Sequence, residues 1–421
     1  MSRTISRRVF VRAGALALVS FGLDPLFLDR AAYAITAGSA PGTRGKVLLC
    51  LFQRGAVDGL SMIVPHGDTA YYRVRPRIAV PASEVLDLDG YFGLHPALAP
   101  LKPWWDNRSL ALVHAAGSPA ATRSHFEAQD YMETGTPGTR STTDGWVNRF
   151  CQHDREHADT PFKAVAFGSQ LPRMLAGSAP SLAIGDLRSF GFRTGTRRVA
   201  DRITRAFEAL YQGSSTGLLA SSSAEGFEAI QMLRSADPTR YAPDHGAEYP
   251  RGRFGESLLQ VAQLIKAGLG LQVAVVDVSG WDTHVGQGAG EGQLANRLGE
   301  LGQGLAAFAR DLGERMSDVV VLTMSEFGRT VAENGTGGTD HGHGTAMMVM
   351  GGGVRGGRVA GRWPGLGADS LYQGRDLAVT TDFRDLFGEV LVRHFGGADL
   401  AAVFPDHTSG PQTWPGVMEA G

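Results

Sequence analysis

The stretch Val273-Ala274-Val275-Val276-Asp277-Val278-Ser279-Gly280-Trp281-Asp282-Thr283-His284 decides how the chain is read. Its first half is apolar apart from Asp277 and shows no polar alternation, the pattern of a strand buried on both faces of a parallel sheet. Asp277, Asp282 and His284 follow within eight residues, at the end of that strand. In open α/β sheets, ligands gather at the carboxyl ends of strands. Asp and His together suit zinc and other transition metals, whereas carboxylates alone suit magnesium or calcium. A loop whose Asp residues cap a turn and whose His is exposed would read the same way.

Outward from this stretch, apolar runs at 46–52, 110–115, 319–324 and 347–350 read as further buried strands. Helical patterns lie between them. At 294–312 the apolar residues Leu294, Leu298, Leu301, Leu305 and Phe308 recur at steps of three and four, and 253–269 is a second helical stretch. Strands alternating with helices predict an α/β fold, a three-layer αβα sandwich with a mostly parallel central sheet. The 57 glycines predict many tight loops at strand ends. Residues 150–250, rich in Gly, Ser and Pro and notably at 214–223, read as an irregular insertion or cap within a single domain spanning 35–421.

Further chemical clusters lie at strand ends. Ser325-Glu326-Phe327-Gly328-Arg329 follows the run at 319–324. Glu326 is a candidate metal ligand, and Arg329 a candidate partner for an anionic oxygen, since its planar fork suits one; an internal Glu–Arg pair is the alternative. In Gly338-Thr339-Asp340-His341-Gly342-His343-Gly344 two imidazoles flanked by glycines make His341 and His343 candidate ligands. Asp58-Gly59, a few residues beyond the first strand, is weaker and on its own means a turn. Thr122-Arg123-Ser124-His125 heads a helix that ends near Thr134-Gly135. A hydroxyl there, beside Arg and His, is placed for an anion or a nucleophile, or simply for an N-cap.

The N-terminus carries Ser6-Arg7-Arg8-Val9-Phe10-Val11-Arg12, a broken apolar run to Leu28, and Ala32-Tyr33-Ala34. Twin arginines, a short apolar segment and a small-x-small site predict a twin-arginine signal at 1–34 and export as a folded protein to the periplasm or beyond. The run is interrupted by Gly14, Gly22 and Asp24, and a stable span needs about 20 apolar residues. No later run is long enough to cross a membrane. The net charge of −2 gives no reason to expect nucleic acid as a partner. Cys50 and Cys151 could pair in an oxidising compartment, but Cys50 sits inside an apolar run where a buried thiol is expected.

In this order, Arg123-Ser124-His125-Phe126, Gly280-Trp281-Asp282-Thr283-His284, Ser325-Glu326-Phe327-Gly328-Arg329 and Gly338-Thr339-Asp340-His341-Gly342 resemble the bacterial family catalogued as domain of unknown function 1501. More distantly they resemble the alkaline phosphatase and sulfatase superfamily. That resemblance implies a divalent metal (zinc, manganese, calcium or magnesium) and a Ser or Thr nucleophile, with Ser124 or Thr122 as candidates. Counting back from Thr134-Gly135 without a gap lands on His125. It implies ligands among Asp58, Asp277, Asp282, His284, Glu326, His341 and His343, with Arg123 or Arg329 on the substrate. The departures are specific: His284 arrives two residues early, Glu326 is followed by Phe327 rather than His, and no Cys-x-Pro-Ser-Arg sequence occurs. The expected function is hydrolysis of phosphate or sulfate esters; the alternative is a non-catalytic binding or assembly protein partnering another exported protein. Beyond that partner and an anionic ester substrate, the twin-arginine translocase is expected to handle the chain during export.

Overall fold

The computed structural model describes residues 45–154, 160–187 and 241–420, together with the backbone of Ala17 and Leu18. The twin-arginine run, the cleavage site at 32–34 and the serine-rich 214–223 lie outside the described residues.

The five apolar runs form strands. They are β1 (Val47–Arg54), β2 (Leu110–Gly117), β5 (Val273–Ser279), β6 (Val319–Met324) and β7 (Thr345–Gly351). β3 (Ala164–Phe167), β4 (Leu182–Ile184) and β8 (Arg358–Ala360) complete a sheet of order β4-β3-β5-β1-β6-β7-β2-β8. Ala17–Leu18 pairs antiparallel with β4, and β9 (Thr381–Asp382) pairs parallel with β2. Within the main order only β7 runs antiparallel to its neighbours, β6 and β2. Two strands therefore arise inside the stretch read as an irregular insertion: β3 and β4 extend the sheet beside β5.

Both faces of the sheet are covered. In β1 the alternate residues Val47, Leu49 and Leu51 pack into one core with α3 (Arg253–Ala267) and α4 (Gln293–Leu312). Leu48, Cys50 and Phe52 pack into a second core with α2 (Trp146–His153) and α5 (Phe383–Phe395). That is why β1 carries no polar alternation: neither face meets water. The stripe Leu294, Leu298, Leu301, Leu305 and Phe308 is the buried face of α4. Cys50 and Cys151 are both buried in the second core with no disulfide between them, and burial pushes the Cys50 thiol well up. Among the described residues no helix is long and apolar enough to cross a membrane.

Register positions the site. Phe52 of β1 sits opposite Asp277 of β5 on one side and Met324 of β6 on the other. The chain thus leaves three adjacent strands at 55, 280 and 325 side by side. β2 leads at the same end of the sheet to α1 (His125–Thr134).

Candidate metal centre

Four loops meet over these strand ends, and their backbone fit is tight. Gly55 leaves β1 with φ of +114°, and a Cβ there would lie 2.8 Å from the Asp282 amide, so only glycine allows the two loops to touch. Ala56 continues in the left-handed region with φ of 63°, a conformation that persists in a non-glycine residue only where the surroundings impose it. Arg329 supplies that constraint. Its side chain is wholly buried and donates to Ala56 O (2.7 Å), Thr339 O (3.1 Å), Gly55 O (2.5 Å), Trp281 O (3.1 Å) and Asp282 Oδ1 (2.5 Å). One guanidinium ties the loops after β1 and β5 to the 339 loop. Its donors, which the sequence offered to an anionic substrate oxygen, meet protein oxygens.

Three imidazoles and a carboxylate converge above this clamp. His125, the first residue of α1, brings its Nε2 to 3.0 Å from His341 Nε2 and 3.7 Å from Asp282 Oδ2. His284 Nε2 lies 3.0 Å from both His341 Nε2 and Asp282 Oδ1. His341 Nε2 is 3.3 Å from Asp282 Oδ1. His125, Asp282 and His341 each offer one ligand atom within 4.8 Å of the others, and His284 flanks them on the His341 side.

The far nitrogen of each ring is held by an oxygen. His125 Nδ1 meets Glu326 Oε1 at 2.8 Å, His284 Nδ1 meets Asp340 Oδ1 at 3.1 Å, and His341 Nδ1 meets the Arg123 carbonyl at 2.9 Å. A carbonyl or carboxylate only accepts, so each Nδ1 carries a proton, and the second nitrogen, Nε2, of each ring faces inward. Nε2 atoms facing one another at 3.0 Å beside a carboxylate are held together either by a shared proton or by a cation bound among them. The inward separations bracket the roughly 3.3 Å expected between ligand atoms around a tetrahedral ion with bonds near 2.0–2.1 Å. Oxygen acceptors behind ligating imidazoles are the usual support of a metal site.

The electrostatics agree. Burial pushes the Glu326 carboxyl up, but hydrogen bonds from His125 and Gln129 and from the Gly55 N–H outweigh it and hold the group below the usual carboxylate range. Burial likewise raises Asp282, and the Arg329 hydrogen bond and charge bring it down below its ordinary value. For Asp340 the Asn334 hydrogen bond is the chief lowering cause. Burial depresses His341, which favours the neutral ring that binds metal. The centre is open: the Asp282 side chain is 47% exposed and that of His284 38%. A structural zinc site is closed by protein ligands, whereas a catalytic one keeps a position accessible.

Other predicted residues lie apart from the cluster. Asp58 is buried and bonded to Arg75 (2.7 and 3.1 Å), Ser61 (2.9 Å) and Gln287 (2.7 Å). The cation that Asp58 meets is the buried guanidinium of Arg75. Burial raises its carboxyl, and Arg75 more than reverses that. Asp277 still belongs to β5 and pairs with Arg54 at 2.9 Å; Arg54 also holds Glu133 at 2.8 Å. His343 is buried and tilted against Tyr372, with ring centroids 4.5 Å apart. Glu326 takes part behind His125 rather than within the cluster. Thr122 donates its hydroxyl to Glu127 at 2.8 Å, while Ser124, the N-cap of α1, makes no side-chain cap bond. Arg123 bonds Asp376 (2.6 Å) and Gln373 (2.9 Å) through a side chain that stays 39% exposed.

Sequence reading missed three members. Asp340 adjoins His341 and is signalled only by that adjacency. Gln129, one helical turn beyond His125, supports Glu326. Arg375 donates to the His341 carbonyl at 2.7 Å and shares the buried Asp376 with Arg123, which puts two arginines on the rim of the cluster; no sequence signal marks it.

A family profile described as a protein of unknown function (DUF1501) matches residues 112–406, more than two thirds of the chain. Among the curated proteins, none matches the chain. Solved structures similar to it include a sulfatase from Pseudoalteromonas sp. (11% identity, TM-score 0.37, 93% of this chain and 75% of that one). Another is a phosphonate monoester hydrolase from Silicibacter pomeroyi (12% identity, TM-score 0.37, 90% and 77%). A third is a lipoteichoic acid synthase from Listeria monocytogenes (9% identity, TM-score 0.30), where the match covers 71% of this chain and 62% of the synthase.

Proposed function

We propose that this chain, which belongs to the DUF1501 family, is an exported metalloprotein that hydrolyses phosphate or sulfate esters at the His125–Asp282–His341 centre. The observation that carries this reading is the inward convergence of three Nε2 atoms, each ring fixed from behind by an oxygen, beside one carboxylate. Such a nitrogen-rich set suits zinc or another transition ion better than magnesium or calcium, which favour oxygen ligands. When bound, a divalent ion would supply Lewis acidity toward an ester oxygen and lower the pKa of water.

The protein's own residues do the rest. Arg329 and Glu326 hold Asp282 and His125 in place, and Arg54, through Gln129, braces Glu326. Arg123 and Arg375 share one carboxylate, Asp376, and keep their side chains partly exposed on the rim, where they can meet an anionic ester. Ser124, with its hydroxyl not used as a cap at the head of α1, is the better placed nucleophile candidate; Thr122 is engaged by Glu127. The twin arginines at 7 and 8 support export through the twin-arginine translocase.

One observation favours a second reading, a binding protein on the same fold. Phe126 is 89% exposed and Val285 is 61% exposed, and each directly follows a histidine of the cluster. Apolar side chains on the mouth of a site serve either an apolar substrate group or a protein partner. The test is metal analysis of the protein purified from cells, beside Asp282→Ala, followed by a screen of phosphate and sulfate esters. About one equivalent of a transition ion, lost in the variant, with turnover of at least one ester, supports the hydrolase. Metal without turnover of any ester, and retention of an exported partner by the Asp282→Ala protein, moves the reading to the binding protein. Absence of metal refutes the centre.

A further inference from the structure

Three arginines lie together at the opposite end of the sheet. Arg108 directly precedes the turn into β2, while Arg355 and Arg358 bracket Gly356-Gly357 between β7 and β8. With Val354 and Glu419 they line a cavity of about 390 Å³. None of the three forms an ion pair among the described residues. Their side chains make a single protein hydrogen bond there, a long one from Arg358 to Gly416 O at 3.3 Å.

The walls of the cavity are already fixed. Gly356 N–H donates to Arg108 O (3.0 Å), Gly357 N–H to Leu110 O (2.9 Å), Arg355 N–H to Val417 O (2.7 Å), and Glu419 N–H to Gly353 O (2.8 Å). A Cβ at Gly356 would lie 2.5 Å from Leu110 O, so glycine is what lets the turn seat against β2 and bring Arg355 and Arg358 toward Arg108. Three cations and one carboxylate therefore share a preformed hollow, on a chain whose formal charge is −2. Arg108 and Arg355 are exposed and Arg358 is half-buried, so their side chains are open to a ligand, and guanidinium forks match oxyanions in shape and charge.

We propose that this cavity binds a doubly charged tetrahedral oxyanion: free phosphate or sulfate, or the terminal phosphate of a small ester. The excess of two positive charges matches that ligand, and the backbone amides are already spent on protein carbonyls, so recognition falls to the three side chains. β2 spans eight residues, about 26 Å at 3.3 Å per residue, between Arg108 and the end that leads to His125. The anion site is therefore separate from the metal centre and does not depend on it.

Calorimetric titration of the whole protein with inorganic phosphate, sulfate and chloride at constant ionic strength tests this. Saturable binding of phosphate and sulfate but not chloride is expected, weakened at least tenfold in the Arg355→Ala, Arg358→Ala double variant. Partial recovery is expected in the corresponding double Lys variant, and unchanged affinity in Asp282→Ala. A parallel titration with phenylphosphonate, tight or absent, assigns the source as an ester terminus or a free ion. Thermal melting checks that the double variant is folded, and a charge-reversing Arg355→Glu serves if it is not. The proposal is overturned by absence of saturable heat in the unaltered protein, by arginine variants that bind as well as it does, or by binding lost only in Asp282→Ala.

Discussion

Replacing Arg329 separates a clamp from a substrate ligand. Its guanidinium supplies the buried carbonyls of Gly55, Ala56, Trp281 and Thr339 and the Asp282 carboxylate. A net hydrogen bond contributes about 1 kcal/mol, so four carbonyl bonds amount to about 4 kcal/mol. The ion pair with Asp282 adds at most about 1 kcal/mol, because that carboxylate is half-exposed and screened. Arg329→Ala is therefore expected to lose about 4–5 kcal/mol, a large part of the roughly 5–15 kcal/mol that holds a typical domain together. Arg329→Lys keeps the charge but has no planar fork, and its ammonium can reach only part of this set; a loss of about 3 kcal/mol is expected. Urea denaturation followed by tryptophan fluorescence measures both, read as the shift in midpoint at constant slope. Trp281, buried beside the clamp, reports on the loops themselves. A Lys variant within 1 kcal/mol of the unaltered protein, with ester turnover abolished, would refute the clamp and restore Arg329 as a substrate ligand.

The remaining predictions concern the centre and its surroundings. Asp282→Ala and His341→Ala should each remove the bound ion on plasma mass spectrometry, whereas His343→Ala, whose ring packs on Tyr372, should retain it. Glu326→Gln preserves an acceptor for His125, Gln129 and Gly55 but removes the charge, so metal affinity should fall about 10- to 100-fold in a chelator competition, with little loss of fold. His114 is buried, and desolvation pushes its pKa down to about 4. A histidine depressed in the folded state contributes stability that is fully present above the unfolded value near 6.5 and is lost as pH falls from there toward 4. The part due to His114 should reach about 3 kcal/mol, at 1.36 kcal/mol per unit, and the fall in stability across that range should be smaller by that amount in His114→Gln when denaturation is repeated. Phe126→Ala should change stability by less than about 0.5 kcal/mol, because the ring is exposed. If the ring meets an apolar ester group, the variant should raise KM for bulky esters and leave KM for compact ones unaltered.

What the sequence by itself determined is the sheet and where its chemistry lies. Continuous apolar runs such as 273–278 and 319–324 have the pattern of strands covered on both faces, which is what they form, while their register was left to the tertiary structure because both faces are apolar. Polar clusters directly after them had to fall at one end of the sheet. The short β3 and β4 escaped because four- and three-residue strands in a Gly- and Ser-rich stretch carry too little pattern. Tertiary structure alone decided which acids and histidines meet. Asp277 and Asp282 are five residues apart, but the first still belongs to β5 and turns to Arg54, while the second lies past Gly280, whose φ is +99°. His341 and His343 are two apart in the same loop, yet the bridge between His341 and Arg329 aims one ring at the cluster and leaves the other against Tyr372. The oxygens that fix the ring tautomers come from 56 to 218 residues away, at Asp340, Glu326 and Arg123. No local pattern encodes such pairings, because they exist only once the strand ends have been laid side by side.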